Sequence, residues 1–509
     1  MTQTRASGIL LHPVSLPGKF GIGDLGDEAY RFVDFLCSTG QHLWQILPLG
    51  PTATVFDNSP YQSPSIFAGN PLLISLEKLV ADSFLEHADL ESAPTFSDHA
   101  VDYEAVTQFK LPLLKKSCHI FRDRASSTEQ KQFDAFCQQN QSWLDDYALF
   151  MALKEAHGFT AWNTWEEDIT WRKPKALEHW RSTLNKDIWY YQYLQYQFFR
   201  QWDELKQYCQ QRHIRLIGDI PIFVAWDSAE VWAKPGLFYL DSNGKPTVVA
   251  GVPPDYFSHT GQLWGNPLYR WDIMAQDGYA WWVERIRAVR RMVDIIRLDH
   301  FRGFEQYWEV LSTETTAVNG CWVPGPGAAL FAAVHQSLGQ LPLIAEDLGM
   351  ITPEVMALRD RFGFPGMRVL QFAFSDDCAD NGHRPHTYPR NCVAYTGTHD
   401  NDTTVGWFCG NDSNTTTQSL EERNKERQRL LQYLFSDGRE IHWDCIQAIF
   451  QSNADTAMVP LQDVLGLGSE ARMNIPGRVG GNWRWRFTAD MLSVEVTARL
   501  REVTDCSGR

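Results

Sequence analysis

Short apolar runs of strand length alternate with amphipathic helical patterns along almost all of the 509-residue chain. That alternation builds βα units, because parallel strands are joined only through a crossover long enough to carry the chain back. Strands are expected at residues 8–15, 42–47, 214–219, 293–299, 342–346, 367–372, 392–398 and 456–461. Helical patterns fall at 29–38, 190–211, 279–291, 328–338, 353–361, 420–435 and 492–503. Eight strands with intervening helices suit a closed (β/α)8 TIM barrel better than an open doubly wound sheet.

The spacing is uneven. The stretch between the second and third strands is far longer than a βα connection needs. It holds a helical pattern at 142–156 and the tryptophans Trp162, Trp165, Trp171, Trp180 and Trp189. A mostly helical subdomain is therefore expected at about 77–200, inserted in one barrel that spans 1–509, with a further active-site loop at about 247–275. Insertions of this kind leave from the face where barrel enzymes build their sites.

Lys+Arg 46 against Asp+Glu 62 gives a net charge of −16, so the average surface repels nucleic-acid phosphates and anionic lipid. An uncharged substrate fits that balance; no nucleic-acid or membrane partner is expected. The ten cysteines stand singly, as free thiols do in a reducing compartment. The first residues carry no secretory apolar core and no run reaches membrane-span length, so a cytoplasmic enzyme is expected. The 20 Trp outnumber the 17 Tyr, and most are expected to fill cores.

Gly21, Gly23 and Gly26 in GIGDLG match a dinucleotide-binding fingerprint. Asp24, Asp27 and Glu28 crowd the same helix start, where a phosphate would meet negative charge. The position for a ribose-binding acid falls on Leu47, Pro48 and Leu49. A helix-capping role fits better. His383 and His386 in HRPH lack a second ligand pair, and no metal site is expected. Signatures of serine hydrolases, zinc peptidases and P-loop proteins are missing.

The carboxylates carry more information. Four apolar strands run into an acid: IRLIGDIP into Asp219, DIIRLDHFRG into Asp299, LIAEDLG into Glu346 and YTGTHDND into Asp400. The C-terminal ends of barrel strands open into one shared site, so acids distant in sequence converge there. Converging carboxylates suit glycosidic-bond chemistry, in which an ionised acid supports the anomeric carbon and a protonated one serves the leaving oxygen. Arg297, two residues before Asp299, lies on the same strand face and is placed to pair with it. Glu346 needs burial or a neighbouring negative charge to keep its proton. Asp347 points away and is expected to cap the next helix.

Seven longer motifs, SPYQSPSIFAGNPLLISL, GDIPIFVAWDSAEVW, GVPPDYFSHTGQLWGNPLYRW, DIIRLDHFRGFEQYW, IAEDLG, YTGTHDNDTTVGW and RMNIPG with GNWRWR, occur in this order. Together they resemble the 4-α-glucanotransferases, the amylomaltase or disproportionating enzyme family related to the α-amylase clan, from about residue 7 to 490. The chain resembles the short form of that family, without an added N-terminal domain. The resemblance implies Asp299 as nucleophile, Glu346 as general acid/base and Asp400 as transition-state stabiliser. It also implies that Arg297, His399 and Asp219 contact sugar, that Tyr61 packs against the reacting sugar, and that neither metal nor organic cofactor is needed. Maltooligosaccharides and α-1,4-glucans are the implied partners.

Transfer wins over hydrolysis when an acceptor hydroxyl is held and water is kept out. In residues 250–271, Gly251, Pro253 and Pro254 shape a loop on which Tyr256, Phe257 and Trp264 are candidates to stack on sugar. Composition leaves a retaining α-glucan hydrolase, or an inactive glucan-binding protein, as alternatives; the resemblance favours the transferase.

Overall fold

Each run expected to be a barrel strand contributes one, and four further strands form a separate sheet. The structure is a computed structural model that describes residues 5–254, 258–376, 378, 381–410 and 419–509. In chain order the strands are β1 (Ala6–Leu10), β2 (Leu43–Gln45), β3 (Arg215–Ile220), β4 (Val248–Val252), β5 (Gln262–Pro267), β6 (Ile295–Leu298), β7 (Gln306–Leu311), β8 (Gly320–Pro324), β9 (Leu343–Ala345), β10 (Gly366–Val369), β11 (Cys392–Tyr395) and β12 (Thr456–Pro460). The order β10-β11-β12-β1-β2-β3-β6-β9 forms an all-parallel sheet. Ala345 N–H donates to the Pro365 carbonyl at 2.9 Å and draws the two edges together. The fold is the expected (β/α)8 barrel.

Alternation of side chains sorts the strands into two cores. Leu43, Ile217, Ile344, Met367, Val369, Val393, Tyr395 and Met458 fill one cluster with Ala6. Their neighbours, including Trp44, Leu216, Ile296 and Val459, face the helices in the larger cluster. The first strand ends earlier than its apolar run because Pro13 cannot donate to a ladder; Pro13–Ser15 turn into a 3-10 helix instead.

Between β2 and β3 the chain is largely helical, with Tyr103–Arg124, Ser127–Ala156 and Asn185–Gln211 as its long elements. Phe121, Phe133, Trp189, Tyr193 and Tyr196 interlock there at ring-centroid distances of 5.0–6.1 Å. Two glutamines of the last helix grip the segment that follows β2. Gln195 accepts from Gly69 N–H at 2.7 Å and donates to Gly69 O at 2.9 Å. Gln201 treats Ser75 in the same way at 2.7 and 3.2 Å. Each carboxamide thus meets a backbone donor and acceptor together, as a neighbouring strand would.

Residues 247–275 differ from the loop expected of them. β4 and β5 pair antiparallel, β4 pairs with β7 and β7 with β8, giving the order β5-β4-β7-β8 over a small core of Val249, Val310 and Ala317. The prolines and glycines of this segment conceal two strands, of which β4 finds its second partner, β7, only after β6. Tyr256 and Phe257 lie outside the described residues.

The GIGDLG glycines serve close packing. A Cβ on Gly23 would stand 2.0 Å from Pro13 O. Asp24 accepts from Gly26 N–H at 2.9 Å and pairs at 3.5 Å with Lys110, which is fully buried. Asp27 and Glu28 occupy the first turn of the helix Asp27–Ser38.

Gly69 gives the insertion a test. A Cβ there would stand 1.9 Å from the Phe198 ring, and overpacking of that kind costs about 1–3 kcal/mol. Gly69→Ala is expected to lower the stability of the chain by that amount in chemical denaturation.

Candidate active site

β3, β6 and β9 deliver their acids through the barrel ladder itself. Asp219 lies on β3, and Arg297 lies on β6 with Asp299 one residue beyond the strand. The pairing continues past the strand ends, since Asp299 N–H donates to Ile220 O at 3.0 Å and Glu346 N–H to Leu298 O at 3.1 Å. The positions of Asp299 and Glu346 are therefore fixed by backbone as well as by side-chain contacts.

One guanidinium joins two of these acids. Arg297 Nη1 lies 2.6 Å from Asp219 Oδ2 and 2.9 Å from Asp299 Oδ1. Tyr61 donates its hydroxyl to the same Asp219 oxygen at 2.9 Å. The side chains of Arg297 and Asp219 are 4% and 0% exposed, against 27% for Asp299, so the pair forms a sealed floor and Asp299 faces the opening. Burial pushes the Asp219 carboxyl up to about 7, against the opposing pull of Arg297.

Glu346 sits in a different environment. Its oxygens accept from His300 N–H at 2.7 Å and Leu348 N–H at 2.8 Å. Burial raises its carboxyl to about 8; Arg297 and these amides oppose the rise, and the Asp299 charge adds to it. At neutral pH the site thus offers a protonated glutamic acid beside the Arg297–Asp299 pair. Both causes named for Glu346 from its sequence position, burial and a neighbouring negative charge, act here.

Asp400 is reached differently. β11 ends at Tyr395, short of the expected 398, and a turn in which Thr398 N–H donates to Asn401 Oδ1 at 2.9 Å carries the chain onward. Asn474 Nδ2 donates to Asp400 Oδ1 at 2.6 Å, and His399 Nε2 lies 3.4 Å from the same oxygen. The Asp400 side chain remains 46% exposed. His399 is buried, which lowers its affinity for a proton, and its ring stacks on Tyr61 at 5.2 Å and 13°. Trp483 completes the group, 5.7 Å from Tyr61 and 6.0 Å from His399.

Trp264 stands on β5, in the antiparallel sheet, and meets His300 edge-on at 4.9 Å. Tyr61, Asp219, Arg297, Asp299, His399 and Asp400 therefore join one chain of contacts, and Glu346 and Trp264 join it through His300, which follows Asp299 directly. Asp347 is a correction. It caps no helix, since Thr352 precedes Pro353–Arg361; it accepts from Met367 N–H at 2.6 Å and pairs with Arg359 at 2.5 Å. His383 and His386 turn to Val369 N–H and the Tyr433 hydroxyl. Among the described residues, no group of three or more His, Cys, Asp or Glu is arranged to hold a metal ion.

Three contributors escaped the strand-end reasoning. Asn474 and Trp483 belong to a loop after β12, where no strand end marks them. His300 is left-handed at φ 49°, and its side-chain Nε2 is buried with no hydrogen-bond partner among the described residues. Burial lowers its imidazole to about 4, so it enters the site uncharged. Its place directly after Asp299 was the available signal.

A family model described as 4-alpha-glucanotransferase matches residues 11–492. The chain is 50% identical to a 4-alpha-glucanotransferase of Synechocystis sp., over 100% of this chain and 99% of that one. It is 49% identical to a 4-alpha-glucanotransferase of Thermus thermophilus, over 100% of both. Among solved structures it is similar to an amylomaltase from Streptococcus agalactiae in complex with acarbose, with TM-score 0.94, 40% identity and 99% of each chain covered.

The Glu346 environment also governs stability. The folded chain keeps this proton where the unfolded chain has lost it, so the stabilisation is complete below the unfolded value near 4.5 and is lost as pH rises through about 8. Glu346→Gln removes that titration. Its stability relative to wild type is expected to improve steadily between pH 5 and pH 8 in denaturant titrations (about the range set by the two values). A difference independent of pH would contradict the assigned proton.

Proposed function

The chain belongs to the 4-alpha-glucanotransferase family and is a 4-alpha-glucanotransferase; we propose that it transfers α-1,4-glucan segments by a retaining route through Asp299, Glu346 and Asp400. Asp299 attacks the anomeric carbon while Glu346 gives its proton to the departing glycosidic oxygen. The glycosidic bond breaks and a glycosyl-Asp299 ester forms. Glu346, now a carboxylate, takes the proton of an acceptor 4-hydroxyl, whose oxygen attacks the same carbon and releases Asp299. Asp400 stabilises the positive charge that develops on the sugar in both steps.

The observation that carries this reading is the placement of a buried Glu346, held by the His300 and Leu348 amides, next to the Arg297–Asp299 pair. Retaining chemistry requires an acid that keeps its proton for the leaving oxygen, and burial raises the Glu346 carboxyl toward that role. Arg297, Asp219, Tyr61 and His399 line the donor sugar, and Trp264 offers an aromatic face to the acceptor. The acarbose bound by the Streptococcus agalactiae amylomaltase supports an oligosaccharide ligand here. Maltodextrins, glycogen and starch are the substrates of this reading. The ten free cysteines support a cytoplasmic setting.

Incubation with maltotriose tests the reaction. A ladder of longer maltodextrins plus glucose is expected, whereas short products with rising reducing ends would favour the hydrolase. Asp299→Asn is expected to lower kcat on the order of 10³-fold or more, as loss of a nucleophile does. Wild-type turnover in that variant would remove Asp299 from the role.

Trp264 separates acceptor from donor. Trp264→Ala is expected to raise the acceptor KM roughly tenfold, equivalent to about 1.4 kcal/mol, with little change in donor cleavage. Steady-state kinetics with glucose as varied acceptor provides the measurement.

A further inference from the structure

Two segments far apart in sequence meet beside the Tyr61–His399–Trp483 rings. One runs through the 3-10 turn Thr54–Phe56 to Tyr61; the other leads from Asn474, which holds Asp400, to Trp483. The base of the second segment is closed on itself. Trp483 N–H donates to Met473 O at 2.8 Å, Ile475 N–H to Asn482 Oδ1 at 3.0 Å, and the Tyr103 hydroxyl to Trp483 O at 2.7 Å. Tyr61 is likewise fixed at its ring end by Asp219.

The tips are joined by a side chain. Gly480 N–H donates to Asp57 Oδ2 at 2.9 Å. Asp57 and Asn58 are both left-handed, at φ 53° and 54°, and Gly480 and Gly481 lie at φ 84° and 86°. Aspartate and asparagine tolerate that region better than other residues with a Cβ. The two glycines adopt positive φ freely, so the local strain lies on the Asp57–Asn58 side of the hydrogen bond, where surrounding structure holds it in place. Among the described residues, no hydrogen bond or ion pair links Asp57 or Gly480 to the acids; what they join are the segments that carry Tyr61, Asn474 and Trp483.

We propose that Asp57 is a positioning residue for the transfer step: by clasping the Gly480 amide it joins the two segments beside the rings, which keeps water out and the acceptor in while the glycosyl-enzyme waits. The inference rests on the transferase reading above. Because the bases of both segments are anchored independently, opening the clasp leaves donor cleavage intact and alters what resolves the intermediate.

The test compares wild type, Asp57→Gly and Asp57→Asn on maltotriose, with the oligosaccharide ladder and new reducing ends measured together. Glycine adopts φ 53° freely but offers no acceptor, so Asp57→Gly isolates the hydrogen bond from backbone strain. Its hydrolysis-to-transfer ratio is expected to rise about fivefold, the scale of one lost hydrogen bond, with donor consumption and Tm near wild type. Asp57→Asn keeps an oxygen acceptor and is expected to restore the wild-type ratio. An unchanged ratio in Asp57→Gly overturns the inference, as does a parallel fall in both products, which would mark a purely structural role. Failure of the wild type to build a ladder would overturn the transferase reading itself, and the inference with it.

Discussion

The site is organised around one buried positive charge. Arg297 lies between Asp219 and Asp299, on a barrel strand with Asp219 on the neighbouring strand. A guanidinium so enclosed is tolerable only because both carboxylates meet it; removal of either partner leaves charge uncompensated in a low-dielectric interior. The tyrosine hydroxyl on Asp219 and the histidine ring on Tyr61 depend in turn on that arrangement. A substitution at Arg297 therefore disturbs the floor, the opening and the aromatic wall together.

The same electrostatic frame lets two kinds of carboxyl coexist. Glu346 is buried and gains protons, despite two amides aimed at its oxygens. Those amides come from His300 and Leu348, so the backbone that positions Asp299 also positions Glu346. The left-handed turn at His300 is what aims its N–H at the glutamate. The geometry at this pair is set by two short stretches of chain, one directly after β6 and one directly after β9.

Much of this was legible in the sequence because barrel strands announce themselves twice, by an apolar run and by the acid that follows. Asp219, Asp299 and Glu346 obey that rule, and the Arg297–Asp299 spacing places both on one face. Asp400 obeys it only loosely, since a turn separates it from its strand. Asn474 and Trp483 lie in a loop whose conformation comes from contacts with distant residues, which no local periodicity records. The antiparallel sheet was hidden for a related reason: glycines interrupt β4 and β5, and the pairing of β4 with β7 spans the intervening β6.

The paired grips of Gln195 and Gln201 give the long insertion a fixed phase. Their separation along the helix equals that between Gly69 and Ser75, so two teeth of one rack engage two of another. A one-residue change between the glutamines turns one of them by about 100° around the helix axis and disengages it. The insertion thus cannot drift in length at that point while the barrel stays constant. Exchange of this subdomain between related chains must carry both glutamines and the strip of backbone they hold as a single inherited unit.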